Sequence, residues 1–364
     1  MNRQQRNGGG DSVERYMEIA KAFRDEILNG AYSGDEPFPS LTQIMRRFGI
    51  SRPNAVRGVA ELKRLGLVKT RRGSGTVVSY KKLKIGLAIP GTADSEFFTA
   101  IMDGIVALCA KNNVDLVVGN VFPFEHELRV QRFEDLARRL VAMRVSGIIM
   151  QPAEFTKSSE SINRRVLDNF EKARIPVVLI DYDIVPPPER SNYDLVSINN
   201  FEAGRRLAAH LREAGVRKVS FQHYPLCSAC VRMRLAGVRS VFPKVHALVT
   251  SPSDDKSVAA ELKKFRPDAF VCGNDMAASE LRKTFSRLKV KVPKDVLLAG
   301  FDDVRCASEM KPPLTTIRQP FSQLAEVAFT TLMERIRKPS LPACEILLSA
   351  PLVVRESTQL VKKR

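Results

Sequence analysis

Phe38–Val78 reads FPSLTQIMRRFGISRPNAVRGVAELKRLGLVKTRRGSGTVV. Pro39-Ser40 opens a short helix whose apolar residues are Leu41, Ile44, Met45 and Phe48. Gly49 turns the chain and Ser51 stands where a second helix needs a cap. Pro53 falls in that helix's first turn, where a missing N–H costs little. Ala55, Val59 and Leu62 recur three or four apart, so one face is buried, and Arg52, Asn54, Arg57 and Glu61 face outward. Two helices joined by a tight glycine turn, the second carrying outward basic and amide groups, suit the major groove of DNA. Leu67–Thr70 and Thr76–Val78 then read as strands around Arg71-Arg72-Gly73-Ser74-Gly75, a hairpin with a basic tip shaped to lie on phosphates.

Charge supports that reading. The chain has 364 residues and a net charge of +18. Met1–Lys82 holds 16 basic against 8 acidic side chains in less than a quarter of the length. A local excess of this kind is the footprint of phosphate binding, driven by counterion release. The N-terminus lacks the apolar core of a secretory signal, no window is apolar enough to span a membrane, and 6 cysteines in such a chain point to reduced thiols. The expected location is the cytoplasm.

With those residues in view, the stretch resembles the winged-helix head of the GntR family of bacterial repressors. The likeness runs from Tyr16 to Val78 and rests on the helix Tyr16–Leu28, Pro39-Ser40, Gly49-Ile50-Ser51-Arg52, Gly66-Leu67-Val68 and Gly73-Ser74-Gly75-Thr76. The residues expected at DNA are Ser40, Thr42, Ser51, Arg52, Asn54, Arg57, Arg71, Arg72, Ser74 and Gly75. Two departures bear on base preference. The family's Glu-Arg pair after Pro-Ser is Leu41-Thr42 here, and its recognition-helix arginine falls on Val56, with Arg57 one place later.

Around this head the expected order is a disordered tail over 1–11, the DNA-binding domain over 12–79, a linker over 80–83, an effector and dimerisation domain over 84–358, and a basic tail over 359–364. The first helix is expected to bury Val13, Tyr16, Met17, Ala20, Phe23 and Ile27, with Gly30 just past its end. From Lys84 the pattern changes to short apolar runs separated by helical segments. Ile85–Ile89, Asp115–Val118, Gly147–Met150 and Val177–Ile180 make one set; Val196–Ile198, Val219–Phe221, Ala247–Val249, Ala269–Cys272 and Leu297–Ala299 make a second. Such alternation implies α/β lobes with parallel sheets. The break between lobes is expected at the Pro-rich Asp183–Arg190. Ligands of such lobes sit beyond the carboxyl ends of the strands.

Leu179–Asp183, Asn199-Asn200, Val231–Gly237, Cys272–Ala277, Ala299–Asp303, Pro312–Gln319 and Arg355–Thr358 follow in that order. Together they resemble the LacI/GalR effector domain, a two-lobed, periplasmic-binding-protein-like fold, from about Leu83 to Thr358. A GntR-type head in front of it is a hybrid similar in layout to arabinose repressors. The resemblance implies that Phe97, Phe98, Asp181, Arg234, Asn274, Asp302 and Gln319 contact a small effector, a carbohydrate by class. Blander roles stand beside these: Asn274 and Asp302 as caps, Asp181 paired with a structural arginine, one of Phe97 and Phe98 in the core. His223, Cys227 and Cys230 form H-x3-C-x2-C, a spacing that invites a zinc or redox site, but the reading adopted is small thiols lining a cleft. The adjacent acids Asp302-Asp303 point to opposite faces of a strand and do not make a metal site. No metal or cofactor is expected, and no catalytic constellation or nucleotide loop is present.

The expectation is a cytoplasmic, homodimeric, effector-controlled transcription regulator that binds a double-stranded operator, a repressor rather than an enzyme. A solute-binding protein would need a secretory signal and no basic head. A sugar-processing enzyme would need a paired acid and base. A regulator with a vestigial cleft and a protein partner remains the alternative.

Overall fold

A computed structural model describes residues 10–28, 31–32, 34, 36–80, 82–89, 96–119, 126–153 and 159–359. Gly30, Lys81, most of the N-terminal tail and all of the basic tail after Gln359 lie outside them. The chain divides into two compact units near Lys84.

The first unit is three helices and a hairpin. Helix α1 (Gly10–Leu28) starts two residues inside the stretch assigned to the tail. Its buried stripe is Ile19, Ala20, Phe23 and Ile27, whereas Met17 is exposed. Met17 and Ile19 flank that stripe on opposite edges, and Gly58 of the neighbouring helix packs on the Ile19 side. Helix α2 (Leu41–Phe48) is fixed at its start by a reciprocal cap: Gln43 N–H donates to Ser40 Oγ, and Ser40 N–H donates to Gln43 Oε1. Gly49 ends it at φ 61°, a left-handed conformation that costs glycine little. Helix α3 (Arg52–Arg64) follows with Pro53 in its first turn. Strands β1 (Val68–Arg71) and β2 (Gly75–Val78) pair antiparallel. Phe38 N–H to Thr76 O and Val78 N–H to Glu36 O add a third partner to the hairpin. Phe23 anchors the core with its ring centroid 4.8 Å from Phe38 and 5.4 Å from Phe48.

The second unit alternates strand and helix. In order come β3 (Lys84–Ala88), α4 (Glu96–Lys111), β4 (Asp115–Val118), α5 (His126–Ala142), β5 (Gly147–Met150), α6 (Ser159–Lys172), β6 (Val177–Ile180) and β7 (Asp194–Ile198). They are followed by α7 (Asn200–Glu213), β8 (Val219–His223), α8 (Ala229–Val241), β9 (His246–Val249), α9 (Asp255–Lys264), β10 (Ala269–Cys272), α10 (Asp275–Arg287) and β11 (Leu297–Asp302). The chain ends with α11 (Arg305–Glu309), β12 (Thr315–Arg318), α12 (Phe321–Arg337), β13 (Glu345–Leu348) and β14 (Leu352–Val353). Two six-stranded sheets result, ordered β13-β7-β6-β5-β3-β4 and β14-β12-β11-β10-β8-β9. Among the pairings the structure describes in them, only β14 with β12 is antiparallel.

One boundary differs from the sequence expectation. The Pro-rich Asp183–Arg190 is a loop inside the first lobe, and β7 pairs parallel with β6 in the first sheet, Leu195 beside Leu179. Prolines interrupt a ladder, but they do not choose its next partner; burial of β7 on both faces does. The chain changes lobe at Asn199-Asn200, again after Gln319 so that α12 packs beneath β5, β6 and β7, and a third time between β13 and β14. Those last crossings were not legible as strands and a helix in sequence.

Candidate functional site

The carboxyl ends of the two sheets meet around Arg234. This side chain is 3% exposed on α8. Its Nε donates to Asn200 Oδ1 at 2.8 Å and its Nη1 to the Gly273 carbonyl at 2.8 Å. The same Nη1 lies 3.3 Å from Asp302 Oδ1, and the guanidinium carbon sits 4.9 Å from the centre of the Phe301 ring. Such a cation is tolerable only because it is paired and bonded on several sides.

Backbone proximity makes the arrangement possible. A Cβ on Gly204 would overlap the Arg234 carbonyl oxygen, and one on Gly237 would overlap the Phe201 carbonyl oxygen. Helices α7 and α8 therefore touch main chain to main chain, which brings Asn200, in the first turn of α7, within reach of Arg234. Asn200 is fixed in turn by its Nδ2, which donates to Ile198 O at 3.2 Å and to Ser197 Oγ at 3.4 Å.

The first lobe supplies Asp181, the residue after β6, at φ 74°. Gln151, buried at the end of β5, donates to Asp181 Oδ2 at 3.1 Å. The Cys230 thiol of the second lobe also bonds to the Asp181 carboxyl. Burial pushes the Asp181 carboxyl up to about 6, Arg234 pulling it down and Asp302 pushing it up. Burial likewise raises Asp302, against the pull of Arg234 and Gln319. Asp275, wholly buried, is held well above the ordinary carboxylate range by burial and by Asp302, although Thr316 Oγ1 donates to it at 2.7 Å. One guanidinium thus faces three carboxyl groups.

Of the effector residues expected from sequence, Asp181, Arg234, Asp302 and Gln319 come together. Gln319 is 3% exposed and donates from Nε2 to Asp302 Oδ1 at 2.8 Å, so it orients that carboxylate. Asn274 takes the cap role, its Oδ1 accepting from Ala277 N–H at 2.8 Å. Phe97 is core, its ring 4.9 Å from Phe98 and 5.4 Å from Phe321 in edge-to-face contacts, while Phe98 is half-buried. Asp303 points away from Asp302 and binds Arg318 and Arg355, each at 2.6 Å. Gln151 and Asn200 were missed. Gln151 could have been found by the same signal as Asp181, a polar side chain at the end of an apolar parallel strand.

His223 donates from Nδ1 to the Tyr224 carbonyl at 2.8 Å, and no group of three His, Cys, Asp or Glu side chains among the described residues is placed to hold a metal ion.

In the first unit, Arg52, Arg57, Arg71 and Arg72 are exposed and paired with no acidic side chain among the described residues. Elsewhere in the unit Arg24, Arg47 and Arg64 are paired with Asp25, Glu26 and Glu61. Ser40, Thr42, Ser51, Ser74 and Gly75 are exposed as well, and Asn54 is half-buried. Ser51 stands at the N-cap of α3 without a side-chain capping bond, and Lys63 Nζ ties α3 to the hairpin through Thr70 Oγ1 at 2.7 Å. Among the described residues, the arginines of this unit with no acidic partner fall on α3 and the hairpin, with Arg46 of α2 beside them.

Residues 15–78 match bacterial regulatory proteins of the gntR family, and residues 201–358 match the periplasmic binding protein-like domain. The ribose operon repressor of Escherichia coli (strain K12) is 26% identical over 287 residues, 75% of this chain and 81% of that protein. The HTH-type transcriptional repressor PurR of Vibrio atlanticus is 28% identical over 66% of this chain and 71% of its own. Among solved structures, a LacI family transcriptional regulator from Enterococcus faecalis with bound ribose superposes at a TM-score of 0.65, with 27% identity, over 77% of this chain and all of that one. The lac repressor dimer bound to operator shares the fold at a TM-score of 0.62 and 20% identity, over 77% of this chain and 95% of its own. No helix among the described residues is long and apolar enough to cross a membrane. The chain joins a GntR-type helix-turn-helix domain to a periplasmic-binding-protein-like domain, and it is homologous to the LacI-family regulators that include the ribose operon repressor and PurR.

Proposed function

We propose that this protein is a cytoplasmic, homodimeric transcriptional repressor, not an enzyme, whose grip on an operator is set by a small polyhydroxyl effector bound between the lobes. The observation that carries this is Arg234: a buried cation fixed by Asn200, Gly273 and Asp302 with its Nη2 group left to give. Asp302 keeps its second oxygen, since both described contacts fall on Oδ1. A forked donor beside a carboxylate acceptor matches a pair of neighbouring hydroxyls. Three carboxyl groups around one guanidinium disfavour an anionic ligand, which leaves an uncharged polyol such as a pentose. The relatives with ribose support the same class. Phe98 offers a ring for the ligand's apolar face.

Closure of the lobes on the effector has contacts ready to record it. Glu96 of α4 accepts from the Arg305 N–H at the start of α11, Phe97 abuts Phe321, and Cys230 reaches Asp181. A few kcal/mol of differential affinity suffices to shift such an equilibrium. The exposed arginines of α3 and the hairpin take the phosphates and groove of each half-site, two heads reading a site with two-fold symmetry. The test is fluorescence anisotropy with DNA from upstream of the protein's own gene, run with a panel of mono- and disaccharides. A sugar that changes operator affinity tenfold or more, about 1.4 kcal/mol, is expected. Equal affinity for all duplexes, whichever sugar is present, overturns the reading.

A further inference from the structure

Cys227 and Cys230 stand at the mouth of α8, three residues apart, 9% and 7% exposed, both as free thiols. Cys230 lies in the first turn of a 13-residue helix, with Ser228 at the N-cap. Ser228 makes no capping bond; its Oγ is 2.8 Å from Cys230 Sγ instead. Either atom of that contact can donate; with Cys230 ionised, the Ser228 hydroxyl is the donor to sulfur. A hydroxyl donor, a helix N-terminus and the Arg234 guanidinium one turn along all favour negative charge on that sulfur. Asp181 opposes it. We propose that Cys227 and Cys230 form a reversible dithiol–disulfide couple in the wall of the effector cleft, oxidised by small peroxides.

The chemistry balances. The Cys230 thiolate attacks one oxygen of the peroxide; the O–O bond breaks, the sulfur becomes a sulfenic acid, and the other oxygen leaves as an alcohol or water after taking up a proton. The Cys227 sulfur then attacks the sulfenic sulfur, forming the S–S bond and expelling water. Two thiols lose two electrons and two protons; the peroxide gains them. A dithiol reductant returns the pair by exchange through a mixed disulfide.

Geometry says what the bond would do to the cleft. Cys227 lies one residue before the Ser228 N-cap, outside the helix, and Cys230 lies in its first turn; a disulfide needs their Cβ atoms about 3.5–4.5 Å apart. Closing the bond therefore pins Cys227 to the first turn of α8. Its carbonyl accepts from Arg232 Nη1 at 2.7 Å, so the first turn of α8 moves with it. At the same time the Cys230 S–H is lost as a donor to Asp181, which removes a bond between the lobes. Oxidation thus acts on the turn that presents Arg234. Its regulatory meaning rests on the effector reading above, whereas the bond and its effect on the turn do not.

The test uses the full-length chain. Reduced protein is treated with hydrogen peroxide, blocked with N-ethylmaleimide and digested with trypsin, and the peptide Val219–Arg232, which carries both cysteines, is weighed. It is expected unlabelled and lighter by two hydrogens, recovered by dithiothreitol, and absent from both Cys227→Ser and Cys230→Ser. Cys227→Ser should instead accumulate a dimedone-reactive sulfenic acid at Cys230. If both thiols remain open to maleimide under peroxide that oxidises the urea-unfolded chain, the couple does not exist. Amide exchange over Ala229–Arg234, which needs no ligand, should differ by about tenfold between oxidised and reduced protein; identical exchange with the bond formed removes the coupling. A calorimetric arm with D-ribose then separates the two readings, because failure of ribose to bind counts against the effector class and leaves the disulfide result standing.

Discussion

Replacing Arg234 by methionine tests the electrostatic core of the site without needing a ligand. Methionine keeps most of the stem's volume, so the change is mainly one of charge and hydrogen bonding. It removes two hydrogen bonds of 2.8 Å, the 3.3 Å approach to Asp302 and the cation above the Phe301 ring. Left behind are the Asn200 oxygen without its donor and Asp302, 14% exposed, without its cation, with Asp181 and Asp275 close by. Removing one partner of a buried pair costs about 3–5 kcal/mol. At roughly 2 °C per kcal/mol for a unit of this size, the melting midpoint of the effector unit should fall by on the order of 10 °C. The loss should also depend on pH in a definite direction. Arg234 pulls Asp181 and Asp302 down against burial, so in Arg234→Met both rise further. A carboxyl with a raised folded-state pKa contributes stability below its unfolded value and loses it as pH rises through the folded value. The gap between wild type and variant should therefore be wide at pH 8 and narrow at pH 5. Circular-dichroism melts of the full chain at both pH values measure it. A gap of the same size at each pH would mean that the guanidinium does not hold these charges in place, and the site's electrostatics would need another account.

Arg52→Ala should keep the head's melting transition and lower operator affinity by at least tenfold, with the slope of log K against log salt smaller by about one; an unchanged affinity removes α3 as the reader. Gly237→Ala should cost more than about 3 kcal/mol and abolish effector binding, because the new methyl meets the Phe201 carbonyl rather than a side chain that can yield. Gly49→Ala, whose Cβ would meet nothing within 4 Å, should cost only about 1 kcal/mol through its positive φ; urea titrations compare the two. In ligand-free protein, Asp181→Asn should remove a loss of stability of roughly 3 kcal/mol that wild type shows as pH rises from about 4 through about 6. Parallel titration of the two proteins over that window reads it, and superimposable curves would count against a raised Asp181.

The head could be read almost residue by residue because its signals are local. A Ser-x-x-Gln cap, a glycine at the C-cap and a three-four apolar spacing each act within one or two turns. Met17 shows the limit: whether the edge of an amphipathic stripe is covered depends on the neighbouring helix, which spacing does not contain. In the effector unit β3, β5, β6, β8 and β10 stood out because burial on both faces makes them continuous apolar runs. Strand β13 did not, since as an edge strand it alternates exposed and half-buried positions. Asp181, Arg234 and Asp302 were expected at the effector through resemblance, and their mutual contacts were not visible at all. Gln319 was assigned to the effector, and one N–H of its amide goes to Asp302; a residue that touches a ligand and one that orients the residue touching it carry the same sequence signal.

The position of the lobe crossings explains how the site can govern something beyond itself. The first crossing ends at Asn200, whose oxygen accepts from Arg234 and whose amide donates back to Ser197 and Ile198 of β7. The second passes through Gln319, whose main-chain N–H donates to the Asp302 carbonyl and whose side chain donates to the Asp302 carboxylate. Two of the three crossings are thus bonded directly to the two charged groups proposed to meet the effector. A ligand that shifts Arg234 or Asp302 by a fraction of an ångström therefore acts on the hinges themselves, without an intervening chain of packed side chains. On the proposed function the converse holds by linkage: a constraint on the angle between lobes imposed from the DNA side would re-aim Asn200 and Gln319, and with them the donor and acceptor proposed for the effector. Asn200→Ala is the discriminating change, since it breaks the hinge-side bond while leaving the Arg234–Asp302 pair in place. If the hinges carry the signal, this variant should bind sugar within a few-fold of wild type and yet lose most of the sugar's effect on operator affinity, and an undiminished effect would place the coupling elsewhere.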